Sequence, residues 1–388
     1  MDNGKHNVFD YLAWRGDISF ESNGFNEIDS LIFSIFSYLN FSFIGFSKIA
    51  SLREAAEIIS SLPDEAKFRG PGFIMGFVLR LLEQAAKTER FQKVNLTGYV
   101  DIIDEEKEMQ FAAITFLLPD STGVISYRGT DTTLVGWKED LNMSIISGIP
   151  SQIEAAKYSV EIMNRYHTQF RLTGHSKGGN LAIWAAAHLP LKLKSNLLSI
   201  YSNDGPGFSD DFLESDNYKE VREKIHSYVP ESSIVGVLMS HDEFITISSS
   251  SASVLQHDPF TWNVIGKKFI YSNTRTLSSR QMERVINSWI KSMSASEREQ
   301  FIESVFDLLG SSNAKTLEDL DKGKIKSIFS MQKTFREMGI KKQMQLIMSL
   351  SKVIFNNDIL TNSNLLTLLF DNTAAITNFN VEAVAADR

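Results

Sequence analysis

The feature that most constrains the fold lies at residues 170–186, where the sequence reads FRLTGHSKGGNLAIWAA. A short apolar stretch at 170–173 leads into the pentapeptide GHSKG at 174–178, and an alanine-rich helix is predicted from 177 to 188. Glycines on both sides of a serine are needed where a strand turns sharply into a helix, because a side chain at either position would collide with the neighbouring strand or helix. The segment therefore predicts a tight strand-to-helix turn at Ser176.

Strand and helix patterns alternate on both sides of this turn. Apolar runs bounded by turn residues predict strands at 94–103, 109–118, 123–127, 170–173, 197–202 and 225–229. Apolar spacings of three and four predict helices at 55–62, 72–87, 152–167 and 177–188. The alternation indicates an α/β core at 93–274 with a mostly parallel central sheet. A helical N-terminal segment (1–92), interpreted as a lid or an acyl-site wall, precedes the core, and a helical C-terminal extension (275–388) follows it.

Charge balance and the missing cysteines exclude several classes of protein. With 39 basic and 47 acidic residues, the formal net charge is −8, which argues against general nucleic-acid binding. No cysteine is present, so disulfides, thiolate metal sites and a cysteine nucleophile are excluded. We find neither metal-ligand spacing nor a G-x-G-x-x-G fingerprint, and therefore expect no cofactor. The first residues do not resemble a secretory signal, which favours a cytoplasmic location.

An uncharged apolar stretch, LIFSIFSYLNFSFIGFS, occupies residues 31–47. Its length is slightly short for a membrane span, and serines interrupt it. Apolar residues fit one face of a helix, with Ser30, Ser34 and Ser37 on the other. We interpret it as a buried or lid-like helix, with peripheral membrane contact and a true span as alternatives.

Ser176 is the candidate nucleophile, and a serine hydroxyl needs a neighbouring base to react at neutral pH. In folds with a G-x-S-x-G turn the chain order is serine, acid, histidine. Two histidines lie in loops after the last predicted core strand, His257 and His241. We favour His257 as the base, because its loop, LQHDPFTW, is compact and aromatic, and keep His241 as the alternative.

The acid and the oxyanion donors are sought at neighbouring strand ends. Asp204 follows the predicted strand at 197–202 and is the favoured acid, and Glu231, after the next strand, is the alternative. The backbone N–H of Lys177 is one expected oxyanion donor, and Thr130, in the loop SYRGTDTT, is the other. Arg128 in the same loop is expected to pin it by bonds to backbone carbonyls.

Several segments together resemble known families. YRGTD, GWKEDL and LTGHSKGGNLA resemble the class 3 lipases, a group of α/β-hydrolases with an F-R-G-[ST] loop, a nearby W-x-x-D-L and a serine turn. FDYLAWRGDISF, SNDGPGF, VPESSIVGVL and QHDPFTW resemble more closely a bacterial α/β-hydrolase family called Mbeg1-like, over roughly residues 7–271. The resemblance implies an α/β-hydrolase fold, with Ser176 as nucleophile, Thr130 as oxyanion residue and His257 as base.

The sequence departs from the class 3 pattern at one position. Class 3 lipases carry their acid after the strand that matches 225–229, and the aligned residue here is Ser233, which is not an acid. Asp204 on the preceding strand, Glu231, or an incomplete triad would each account for this.

These residues predict a serine esterase or lipase-like hydrolase that cleaves a carboxylic ester of an acyl or lipid-like substrate. One alternative is a hydrolase-fold protein that binds a ligand or partner with weak or no turnover. Another is a thioesterase or peptidase, which differs only in substrate. The sequence leaves the acyl length, the head group and the oligomeric state open.

Overall fold

The computed structural model describes residues 6–46, 48–70, 72–311, 315–316, 324–339, 342 and 346. The chain divides into two compact units, residues 1–292 and 293–388. The first unit contains the sheet, the N-terminal helices and the helix Leu277–Lys291, which the sequence analysis assigned to the C-terminal extension. The second unit contains the helices Ala295–Gly310 and Lys324–Glu337, and the rest of the predicted extension, including 347–388, lies outside the described residues.

One eight-stranded sheet organises the first unit, with its strands side by side in chain order. The strands are β1 (Ala50–Ser51), β2 (Asn95–Asp104), β3 (Met109–Leu117), β4 (Thr122–Tyr127), β5 (Gln169–His175), β6 (Leu197–Asn203), β7 (Ile225–Pro230) and β8 (Ile245–Ile247). Strands β1 to β4 pair antiparallel, because short turns connect β2 to β3 and β3 to β4. Strands β4 to β8 pair parallel. A separate hairpin pairs β9 (Val264–Ile265) with β10 (Lys268–Phe269).

Helices flank the sheet and occupy most of its connections. In chain order the helices of the first unit are α1 (Val8–Arg15), α2 (Glu27–Phe36), α3 (Leu52–Ser61), α4 (Asp64–Lys67), α5 (Gly72–Ala85), α6 (Leu134–Asn142), α7 (Pro150–Tyr166), α8 (Lys177–Ala187), α9 (Leu191–Lys194), α10 (Asp210–Leu213), α11 (Asp216–Lys219) and α12 (Leu277–Lys291). The described helices of the second unit are α13 (Ala295–Gly310) and α14 (Lys324–Glu337). Short 3₁₀ turns occur at Ser253–His257 and Pro259–Thr261.

Two hydrophobic clusters lie on opposite faces of the sheet. Alternate residues of one strand join different clusters, as the two-residue period of a strand requires: Ile114 packs with the N-terminal helices, and Ala113 packs with α7 and α8. The helices therefore cover both faces of a mostly parallel sheet. The architecture is that of an α/β-hydrolase, which confirms the fold class predicted from the sequence.

Within the apolar stretch at 31–47, residues 31–41 are buried, whereas Ser42 and Gly45 are exposed. Helix α2 ends at Phe36, and all ten of its residues are buried. Its serines are buried as well, because their hydroxyls find partners: Ser34 Oγ lies 2.8 Å from Thr173 Oγ1 of β5, and Ser30 Oγ donates to a backbone carbonyl. Among the described residues, no helix is both long and apolar enough to cross a membrane.

A fully buried ion pair fastens the N-terminal segment. Arg90 and Asp29 have no exposed side-chain surface, and two bonds of 2.8 and 2.6 Å join them. Tyr11 donates to the same carboxylate at 2.7 Å and accepts from the side chain of Asn26. These bonds join four residues spread over 11–90, and the N-terminal segment is therefore part of the packed domain.

Most predicted strands and helices agree with the structure to within a few residues. The helix expected in 31–47 ends at Phe36, and β1, β8 and the β9–β10 hairpin were not predicted. These strands contain two or three residues each. A run of two or three residues is too short to show the alternation of apolar and polar residues that predicts a strand. Their pairing depends on neighbours that are distant in the sequence.

Candidate active site

Ser176 stands alone between β5 and α8, in a backbone conformation that residues with side chains rarely adopt. Its φ is 58° and its ψ is −134°. The flanking glycines are required by close approach. A Cβ on Gly174 would lie 2.1 Å from the backbone of Gly178, and one on Gly178 would lie 2.2 Å from the carbonyl oxygen of Tyr127. Neither Gly174 nor Gly178 therefore has room for a side chain, as the sequence predicted.

His257 and Asp204 are joined by a short hydrogen bond. His257 Nδ1 lies 2.7 Å from Asp204 Oδ2. The carboxylate is fully buried, whereas 30% of the histidine side chain is exposed. A carboxylate only accepts, so Nδ1 carries the proton and Nε2 has a free lone pair. The pair can therefore accept a proton at Nε2 while the carboxylate stabilises the resulting imidazolium.

Asp204 is held from several sides. It follows the end of β6 with a φ of 54°, and its N–H donates to the carbonyl of Tyr228 at 2.8 Å. Ser233 Oγ donates to Asp204 Oδ1 at 2.6 Å and accepts from Gly236 N at 3.0 Å. Ser233 is the residue that the resemblance to class 3 lipases aligns with their acid. The carboxylate of Asp204, which follows β6, thus bonds to the serine that follows β7.

Glu231 and His241, the alternative acid and base, form no bond to this pair. In the described part of the chain, the carboxylate of Glu231 has no hydrogen bond or ion pair, although its backbone bonds to Ile247 and Thr276. The ring of His241 is half-buried and bonded to the backbone of Leu238, and desolvation lowers its pKa to about 4. Its Nε2 has no hydrogen-bond partner among the described residues.

The loop that carries Thr130 passes directly beside Ser176. A Cβ on Gly129 would lie 3.1 Å from Ser176 Cβ and 2.7 Å from the carbonyl oxygen of His175. Thr130 Oγ1 donates to Asp140 Oδ2 of α6 at 2.5 Å. The hydroxyl is therefore engaged by Asp140, and the backbone N–H groups of Thr130 and Lys177 are the candidate donors to a developing oxyanion.

Among the described residues the Arg128 side chain bonds to no backbone carbonyl, and the expectation that it would is wrong. Its Nη2 donates to Asp101 Oδ1 at 2.7 Å and lies 3.5 Å from Asp131 Oδ2. The guanidinium is fully buried, and carboxylates compensate a buried charge better than carbonyls do. Its Nε and Nη1 lack hydrogen-bond partners within the described residues.

Two further residues connect the site and were not predicted. His175 Nε2 lies 2.9 Å from the carbonyl oxygen of His257, which only accepts, so Nε2 carries the proton. Its Nδ1 then accepts from Tyr38 Oη at 3.2 Å, and Tyr38 in turn accepts from the backbone N–H of Gly129. Burial and the neighbouring His257 hold the pKa of His175 well below its usual value, which keeps the ring neutral. This chain of bonds joins the Gly129 loop to the backbone of His257.

The sequence contains a partial indication of His175 and none of Tyr38. His175 lies inside the pentapeptide, but the serine–acid–histidine order removes it from consideration as a base, and its positioning role has no pattern of its own. Tyr38 lies 138 positions before Ser176, and nothing in its local sequence distinguishes it from other apolar residues.

Acyl transfer uses groups of these kinds: a hydroxyl on a strained turn, an imidazole oriented by a buried carboxylate, and backbone N–H donors. In the part of the chain that the structure describes, the hydroxyl of Ser176 has no hydrogen bond to His257. Among the described residues, no group of three or more His, Asp or Glu side chains is arranged to hold a metal ion.

Comparisons with solved structures give distant likenesses. Rhizomucor miehei lipase in its propeptide complex is 18% identical, with 47% of this chain and 71% of that chain covered and a TM-score of 0.33. M37 lipase is 16% identical over 69% of this chain and 81% of that chain, with a TM-score of 0.37. A triacylglycerol lipase from Penicillium expansum is 12% identical over 47% and 75%, with a TM-score of 0.30. At these values the likeness transfers no activity to this chain.

Sequence comparison gives a firmer result. A search of curated proteins found no match. The model of the Mbeg1-like family matches residues 85–307, a range that includes Ser176, Asp204 and His257. Because this match spans more than half of the chain, the protein belongs to the Mbeg1-like family.

Proposed function

We propose that this protein is a serine hydrolase that cleaves a carboxylic ester of an acyl or lipid-like substrate. Ser176 Oγ attacks the carbonyl carbon while His257 Nε2 takes its proton, and Asp204 stabilises the imidazolium. The N–H groups of Lys177 and Thr130 hold the oxyanion. The alcohol leaves with the proton from His257, and water then hydrolyses the acyl-enzyme. The observation that carries the proposal is the 2.7 Å bond between His257 Nδ1 and the buried Asp204.

Exposed apolar side chains near the Thr130 loop support a substrate with an acyl chain. Trp137 and Leu141, four residues apart on α6, are 46% and 38% exposed. Ile146 and Ile153, which follow in the chain, are 52% and 45% exposed. Trp137 and Leu141 thus share one exposed helix face, and exposed apolar groups on one face favour contact with apolar matter rather than with water. A lipid-like ester fits this better than a small polar one.

The second candidate is a ligand-binding protein with little turnover. The observation that favours it is the bond between the Thr130 hydroxyl and Asp140, which occupies a group that could otherwise stabilise the oxyanion. A thioesterase or peptidase would use the same residues and differ only in the leaving group.

A fluorophosphonate probe with p-nitrophenyl esters tests the proposal. The wild-type protein should be labelled once per chain and hydrolyse the esters, and Ser176→Ala should lose both while keeping its circular dichroism spectrum. His257→Ala should lower kcat by about 10³-fold or more, since residues of a triad act as a unit, whereas the matched variant His241→Ala should retain most activity. A correctly folded wild-type protein without labelling or turnover would favour the binding protein. Matched thioester and anilide substrates would then rank the leaving groups.

A further inference from the structure

Lys177 has a side chain that the proposed reaction does not use. The residue follows Ser176 and begins α8, and it is 1% exposed. Its ammonium donates to three acceptors at 2.9–3.0 Å: Gln110 O, Gln110 Oε1 and Glu139 Oε2. Asp140 Oδ1 lies 3.6 Å away. All three donor positions of the ammonium are therefore used inside the protein.

Stability alone does not account for a lysine at this position. A cation at the amino end of a helix is opposed by the helix dipole. Burial of its charge costs further free energy, and a buried ion pair is often no more stabilising than apolar residues of the same volume. The position therefore carries two costs that an apolar side chain would avoid.

Glu139 and Asp140 connect the ammonium to the Thr130 loop. Glu139 Oε2 also accepts from Gln110 N at 3.0 Å, and Glu139 Oε1 accepts from Ser151 N at 2.9 Å, so its carboxylate joins α6 to β3 and to the start of α7. Asp140, the next residue, accepts from Thr130 Oγ1 at 2.5 Å. One buried network thus links the two candidate oxyanion donors.

We propose that Lys177 is a positioning residue for the second oxyanion donor: its buried ammonium, through Glu139 and Asp140, fixes the Thr130 loop relative to Lys177's own backbone N–H. The role of the Thr130 N–H as an oxyanion donor rests on the proposed function, whereas the fixing of the Thr130 loop by Lys177 does not. Burial raises the pKa of Asp140 to about 6, and the Lys177 charge opposes that rise, which helps to keep the carboxylate as an acceptor for Thr130.

Hydrogen–deuterium exchange and steady-state kinetics together test the role of Lys177. In Lys177→Met, amides in 129–142 should exchange at least about tenfold faster, while those of β6 and β7 exchange as in the wild type. The value of kcat should fall about 10²-fold, the scale for loss of one oxyanion donor, with KM within about twofold. The matched control is Lys194→Met, which removes another lysine–carboxylate pair (2.6 Å to Glu220) away from the site and should change neither readout.

Glu139→Gln supplies a second variant if Lys177→Met does not fold, because it keeps an acceptor for the ammonium but removes the negative charge. It should loosen 129–142 in the same direction and to a smaller extent. Unchanged exchange of 129–142 would overturn the proposal, and so would equal loosening of the whole domain. A wild-type protein that neither turns over esters nor reacts with fluorophosphonate would overturn the proposed function instead, and the exchange data would still decide whether Lys177 holds the loop.

Discussion

The protein contains two buried clusters of charge that differ in how completely their polar groups are matched. In the N-terminal cluster, Arg90 bonds twice to Asp29, and its remaining donors reach backbone carbonyls at Ile18, Ser19, Asn23 and Gly24. Around the candidate site, Arg128 Nε and Nη1, Asp140 Oδ1 and Gln110 Nε2 lack hydrogen-bond partners among the described residues.

We infer from this difference that the first cluster serves stability and that the second supports the proposed chemistry. A buried polar group without a partner costs about 1–3 kcal/mol, so a cluster selected for stability alone would close its bonds as Arg90 does. Departures from complete matching are expected where a site must hold reacting groups in a defined geometry. We therefore expect substitutions in the first cluster to lower stability and substitutions at the site to lower activity.

The largest effect should come from Asp204→Asn. The amide cannot hold His257 in the tautomer with a free Nε2 lone pair, and loss of this function lowers kcat by about 10³- to 10⁴-fold in comparable triads. The melting temperature should change little by comparison. Glu231→Gln is the matched control, because its carboxylate has no bond to His257 in the described structure, and it should keep kcat within about twofold. If Glu231→Gln lowered kcat to this extent and Asp204→Asn did not, Glu231 would be the acid.

Arg90→Met should produce the largest loss of stability. It leaves Asp29 buried without its cation, which costs about 3–5 kcal/mol in the free energy of unfolding measured with urea. Activity per folded molecule should stay near the wild-type value. The control is Lys93→Met, which removes an exposed pair with Glu89 and should cost less than about 1 kcal/mol. If Arg90→Met lowered the free energy of unfolding no more than Lys93→Met does, the distinction between the two clusters would be contradicted.

Ser233→Ala should have an intermediate effect on activity. It removes the 2.6 Å bond to Asp204 Oδ1, and a hydrogen bond to a charged group is worth about 1.5–3 kcal/mol, of which we expect roughly 1.4 kcal/mol, or tenfold, to appear in kcat. Ser232→Ala is the neighbouring control, since Ser232 Oγ bonds to Thr276 instead. Equal kinetics for the two variants would mean that Ser233 does not support the acid.

The smallest effect concerns the pH dependence of stability through Asp140. Burial raises the folded-state pKa of this carboxyl from an ordinary 3.8 to about 6. The folded protein therefore binds the proton more tightly than the unfolded chain, and this contribution to stability is present below about pH 4 and lost as pH rises through about 6. In Asp140→Asn the group does not titrate. The melting temperature of the variant relative to the wild type should rise between pH 4 and pH 6.5, and a constant difference would contradict the shifted pKa.

Much of the core was predictable from local sequence. The two glycines and the serine at 174–178 specify a turn because close packing at a strand–helix junction leaves no room for a Cβ, and that constraint depends only on neighbouring elements. Strands β2 to β7 and helices α7 and α8 were found from periodicity, because each is long enough to repeat its pattern. The order serine, acid, histidine left two histidines as candidates, and the compact aromatic loop favoured His257 over His241. The position after a strand end favoured Asp204 as the acid, with Glu231 kept open.

The tertiary structure decided what no local pattern encodes. The sequence favoured Asp204 without excluding Glu231 at the neighbouring strand end. The bonds of Asp204 to His257 and Ser233 depend on three segments brought together by the sheet. The partners of Arg128, the contact of Tyr38 with His175 and the network around Lys177 likewise join residues that are distant in the chain. A buried charge takes whichever partner the folded packing supplies, so its role follows from the assembled neighbours rather than from its own sequence.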